Sequence, residues 1–162
     1  MTNTQSCFRR VAFAITTATG IVTAMAQPRP ARAQGAPSPA AEIAGRWSGT
    51  SDCIKADWNA ACNDERVVYF FERKPDSNTV VQHAYKYVGA RLELMGDLDY
   101  TYDTAAKTWV ALWSNDRFRL RWSLQLLPHG VIVGRLLDLG AGRIARTIMV
   151  RRDVDQTRPP GP

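Results

Sequence analysis

Between Ile43 and Arg152 hydrophobic and polar residues alternate with a period of two. About every ten residues the alternation is broken by residues that tolerate turn dihedrals. The breaks are Lys74 to Asn78, Gly89 to Arg91, Asp103 to Ala106, Ser114 to Asp116, Pro128 to Gly130 and Leu139 to Gly142. Side chains two apart share a face of an extended chain, so the pattern predicts strands over Ile43–Cys53, Glu65–Arg73, Thr79–Val88, Leu92–Tyr102, Lys107–Trp113, Arg117–Leu127, Val131–Asp138 and Arg143–Arg152. Short links of this kind join neighbouring strands. The expected fold is therefore all-β: an eight-stranded antiparallel up-and-down barrel, closed because closure removes exposed strand edges. No long helix is expected in the mature chain. A helical turn over Ala56 to Ala61 is the one local exception.

The two ends of the chain do not fit this pattern. Residues 1–33 read as a secretory signal peptide: Arg9 and Arg10 precede an apolar run from Val11 to Ala26, with small-x-small cleavage patterns after residues 26 and 33. The run is shorter than the roughly 20 apolar residues of a spanning helix. Residues 34–41 read as a flexible linker, 42–153 as the barrel domain and 154–162, rich in proline, as a disordered tail. Periplasmic or secreted localisation follows.

Removing the leader changes the charge. Arg9, Arg10, Arg29 and Arg32 lie in it, so the 21 basic residues fall to 17 against 15 acidic ones and the net charge from +6 to +2. A nucleic-acid partner is not expected of so small an excess. Cys7 also leaves, and the remaining pair, Cys53 and Cys62, in an oxidising compartment predicts a disulfide. Closing so short a loop stabilises by roughly 2.5–3 kcal/mol on the chain-entropy account.

Gly45-x-Trp47 at the head of the first strand resembles the Gly-x-Trp signature of the calycin superfamily, lipocalin-like exported barrels. The resemblance implies that Trp47 plugs one end of the barrel beneath a basic residue of the last strand, in a cation–π contact. Arg151 and Arg152 both stand in that region, facing opposite ways, and both remain candidates.

Two further sets stand out. Val81, His83, Tyr85 and Tyr87 share one face of the third strand, opposite Val80, Gln82, Ala84, Lys86 and Val88. If His83, Tyr85 and Tyr87 face inward they line a ligand cavity; if outward, they form a surface stripe. On the sixth strand Phe118, Leu120, Trp122, Leu124 and Leu126 point one way, and Arg117, Arg119 and Arg121 form a basic surface row on the other. Such a row is a solvated face or a contact for an anionic partner. No nucleophile elbow, phosphate loop or metal-ligand spacing is present, so no catalytic residue, metal or cofactor is assigned. The expected function is non-enzymatic binding of a small apolar or aromatic molecule. The alternative is a protein-interaction module, similar in outline to exported protease inhibitors, acting through its surface or N-terminal linker.

Overall fold

The computed structural model describes residues 37–54, 62–75 and 78–153, all within the compact unit Gly35–Pro162. The signal-peptide, tail and Ala56 to Ala61 readings lie outside the described residues. The elements are α1 (Pro39–Ile43) and strands β1 (Gly45–Cys53), β2 (Glu65–Arg73), β3 (Thr79–Val88), β4 (Arg91–Asp103), β5 (Thr108–Ser114), β6 (Arg119–Leu127), β7 (Val131–Asp138) and β8 (Arg143–Arg152). Every strand pairs antiparallel with its sequence neighbour, and β1 pairs with β8, closing an up-and-down barrel.

The barrel interior is filled at one end. Trp47, Phe71, Val80, Tyr100, Trp109, Leu124, Ile132 and Val150 are fully or almost fully buried there. Trp47 is the plug: its indole Nε1 donates to the Ile43 carbonyl (2.8 Å), and the Arg152 guanidinium lies 4.3 Å from the ring centroid. Arg152 also donates to the carbonyls of Ala44 (2.7 Å) and Glu42. One side chain thus stacks on the plug and satisfies carbonyls at the C-terminal end of α1. Register decides between the two arginines, because Arg152 stands opposite Trp47 and Arg151 opposite Ser48 on the outer face.

Gly45 explains the first position of Gly-x-Trp. Its φ is +110°, a region open mainly to glycine, and an added Cβ would meet the Arg152 guanidinium at 3.3 Å. Gly49 serves the same seam differently: a Cβ there would lie 2.1 Å from the Met149 carbonyl oxygen, so the β1–β8 approach requires its absence.

Two local expectations are corrected. The stretch read as linker ends in α1: the Ser38 side chain accepts from the Ala41 amide (3.3 Å), Pro39 opens the helix, and Ala40 and Ile43 are buried. A capping serine followed by proline starts a helix, and burying two apolar side chains keeps it. β6 begins at Arg119 rather than Arg117, because Asn115 Oδ1 accepts from the amides of Arg117 and Phe118 and turns the chain there. β4 and β8 each carry a bulge. Ala84 pairs with Gly96 but Tyr85 with Leu94, and Leu136 pairs with Arg146 but Leu137 with Ile144, leaving Met95 and Ala145 as the extra residues.

Cys53 and Cys62 form the disulfide at the end of β1. The Cys53 amide donates to Asp64 Oδ1 (2.8 Å), fixing the return of the chain towards β2.

Candidate functional site

Opposite the Trp47 plug the barrel is hollow. A cavity of about 380 Å³ is walled by Leu98, Leu120, Leu136, Ile148, Trp113 and Trp122, with Tyr69, Tyr100, Gln82 and Ala84 also lining it. β5 and β6 contribute the two tryptophans because Trp113 and Trp122 share the inward face with Leu120 and Leu124. The volume lies within the roughly 300–1,000 Å³ of small-molecule sites.

The polar groups of the cavity separate into spent and unspent donors. Arg146, from β8, gives Nε to Ser51 Oγ (2.9 Å) and Nη2 to Ser51 O (2.8 Å), Asn63 O (2.8 Å) and Glu65 Oε2 (3.0 Å). Its Nη1 faces Cys62 Sγ at 3.7 Å, so the guanidinium ties β1, the disulfide segment and β2 to β8. Glu65 takes a second cation, Lys86, at 3.0 Å. These charges are mutually engaged at the cavity edge. Tyr100 is different: it is completely buried, and its hydroxyl has no hydrogen-bond partner. Gln82, 3% exposed, adds an amide with both donor and acceptor capacity.

Both phenols are held neutral. Burial pushes the Tyr100 pKa well above its ordinary value, with the neighbouring Tyr69 adding to the rise. Burial likewise raises Tyr69, partly offset by the Ser51 hydroxyl and the Arg146 charge. A neutral phenol is a hydrogen-bond donor, so the Tyr100 hydroxyl is an unused neutral donor beside the cavity.

The wall has a side opening. β3 and β4 pair from Thr79↔Thr101 to Val88↔Arg91, but β4 and β5 pair only at Thr101↔Val110, Tyr102↔Trp109 and Asp103↔Thr108. Beyond Thr101 the two strands part, and Met95, Gly96, Asp97 and Leu98 on one side and Trp113 on the other line the cavity. The bulge leaves Met95 as the extra residue at this margin, where it lines the cavity.

His83, Tyr85 and Tyr87 are not in this cavity. β3 presents Gln82 and Ala84 to it, and the alternation therefore places His83, Tyr85 and Tyr87 on the outer surface. There His83 stacks on Phe70 (centroids 6.2 Å apart) and contacts Asp97 (2.9 Å) and Glu72 (3.5 Å). Tyr87 receives the Arg66 guanidinium at 5.0 Å. Tyr85 stands opposite Val68, which is completely buried although it faces outwards. The stripe covers the outer, apolar side of β2. The inward choice follows from β2, where Val67, Tyr69 and Phe71 belong to the core and pair with the Gln82 and Ala84 side of β3.

Of the basic row, Arg119 and Arg121 stand on the outer face of β6 and Arg117 in the turn before it. The Arg121 Nε is buried without a partner. Tyr100, Gln82, Trp113 and Arg146 were the residues that sequence reasoning missed. Gln82 alone carried a signal, as a polar residue between Val80 and Ala84. Among the described residues no cluster of three or more His, Cys, Asp or Glu side chains is placed to hold a metal, and no helix is long and apolar enough to cross a membrane. No family model matches the chain, and no curated protein matches it significantly.

Proposed function

We propose that this protein is an exported, non-enzymatic carrier or sensor of a small apolar or aromatic molecule, held in the barrel cavity. The observation that carries the reading is the fully buried Tyr100 hydroxyl without a partner, beside a cavity walled mostly by apolar and tryptophan side chains. Leaving such a group unpaired costs about 1–3 kcal/mol, and a ligand offering an acceptor recovers that cost. Since the Arg146 donors are directed at protein acceptors, the favoured ligand carries a neutral acceptor, such as a carbonyl oxygen, on an apolar or aromatic frame. The Cys53–Cys62 bridge supports an oxidising compartment, periplasmic or secreted. The closed barrel with Gly45-x-Trp47 at its plug is compatible with calycin-like kinship.

The test is titration with an environment-sensitive apolar dye, read by dye emission and by quenching of tryptophan. Wild type binds the dye. Ala84→Phe, which fills the cavity, abolishes binding, while His83→Ala, on the outer surface, leaves it unchanged. A protein that ignores the dye, with a melt that is otherwise cooperative, refutes the cavity reading and favours action through the surface.

A further inference from the structure

Nine large apolar side chains are exposed among the described residues, and eight of them, all but Met149, cluster at the unplugged end: Ile54, Val88, Leu94, Met95, Leu112, Trp113, Leu139 and Ile144. The most exposed are Leu112 (69%) and Leu94 (59%), one on each side of the β4–β5 opening, with Met95 and Trp113 at its margin. Single exposed apolar residues need no explanation, but a cluster around a cavity opening does.

Charge on the two sides of the opening is unequal. On β4, Glu93 is paired with Arg91 (3.4 Å) and Asp99 with Lys74 (2.8 Å), and Asp97 is hydrogen-bonded to His83 (2.9 Å). Beside β5, Arg121 stands opposite Leu112 and Arg119 opposite Ser114, with Arg117 in the turn; none of the three has an ion pair among the described residues. Asp116 is the one carboxylate in that turn.

We propose that the β4–β5 opening docks on an anionic phospholipid bilayer. Leu94, Met95, Leu112 and Trp113 enter the boundary between headgroups and acyl chains, and Arg117, Arg119 and Arg121 engage lipid phosphates. Arginine matches phosphate geometry and keeps its charge at all relevant pH values, and adjacent apolar and basic side chains are what interfacial binding uses. A soluble polyanion would account for the arginines but not for exposed Leu94 and Leu112. A second copy seated symmetrically on this face would bring the arginine rows together. The docking places the cavity opening against the hydrocarbon boundary, where an apolar ligand is dissolved, yet it does not require the cavity to be occupied.

Residues 35–162 form a compact unit containing the closed sheet, the disulfide and the whole described core, so this unit is the one to test, by co-sedimentation with vesicles of phosphatidylglycerol and phosphatidylcholine. It binds the mixed vesicles, binds pure phosphatidylcholine far more weakly, and releases as salt rises. Arg117→Gln, Arg119→Gln and Arg121→Gln each weaken binding about fivefold. Leu94→Ser with Leu112→Ser weakens it further without altering the melt, since both side chains are already exposed; Arg73→Gln, at the plugged end, changes nothing. Brominated acyl chains quench tryptophan emission in wild type, and Trp113→Phe loses most of that quenching. No vesicle binding overturns the proposal. So does binding that is indifferent to the two leucines, which would be surface charge alone, or a concentration-dependent dimer that the same variants dissolve. Dye binding is measured on the same samples, so failure here is distinguishable from failure of the cavity reading.

Discussion

Replacing Tyr100 by phenylalanine should make the unliganded protein more stable and a worse binder. The ring is completely buried and packs edge-on against Phe71, with centroids 6.1 Å apart, so Tyr100→Phe preserves the packing and removes only the hydroxyl. That hydroxyl has no partner; relief of its desolvation is worth about 1–3 kcal/mol. The void it leaves is the size of one oxygen, and at about 24 cal/mol per Å³ costs only a few tenths of a kcal/mol. The net expectation is a gain of about 1–2 kcal/mol, equivalent to a rise of roughly 4–8 °C in melting temperature for a domain of this size. Affinity for an aromatic ketone should fall about threefold to tenfold, the value of one neutral hydrogen bond, while affinity for the matching hydrocarbon stays the same. Urea melts and paired ligand titrations measure both halves. Tyr69→Phe is the contrast, because Ser51 and Arg146 already interact with that phenol, and it should not stabilise. An unchanged or lowered midpoint for Tyr100→Phe would mean that the hydroxyl is satisfied in solution, and the argument for a ligand acceptor would fail with it.

Other perturbations probe the plug, the seam and the phenols. Trp47→Ala should cost about 3–5 kcal/mol, because the indole is completely buried and carries both the Ile43 hydrogen bond and the Arg152 contact; a urea melt that superimposes on wild type would rule out the plug. Gly49→Ala should destabilise by about 1–3 kcal/mol, since the new methyl meets the Met149 backbone, and a neutral result would show that the β1–β8 seam gives way easily. Stability should also fall on the alkaline side. The folded pKa values of Tyr69 and Tyr100 lie above the ordinary phenol value of 10.0, so the unfolded chain releases these protons first. Their contribution is fully present below about pH 10 and is lost as pH rises beyond it. Thermal melts from pH 8 to 11 should show the fall, and the Tyr69→Phe, Tyr100→Phe double variant should show less of it.

Strand number and order were legible in the chain because their causes are local, and closure because an open meander would leave two exposed edges. Turn residues such as Pro128 to Gly130 and a period-two alternation act within a few residues of themselves, and links that short can only join neighbours. The disulfide was legible for the same reason, as was Trp47, which sits beside the glycine its backbone path demands. Which face of a strand turns inward is another kind of question. Alternation is unchanged when a strand is flipped, so β3 offered His83, Tyr85 and Tyr87 and the Val80, Gln82, Ala84 side on equal terms; pairing with β2 decided it, because Val67, Tyr69 and Phe71 had to meet the core. Arg152 was chosen over Arg151 by the β1–β8 register, which no residue near the C-terminus encodes alone. The cavity, its β4–β5 opening and the unpartnered Tyr100 hydroxyl arise where the closed sheet surrounds the space beyond the plug and β4 and β5 alone part. They are properties of spacing between residues far apart in the chain, and only the closed barrel sets those distances.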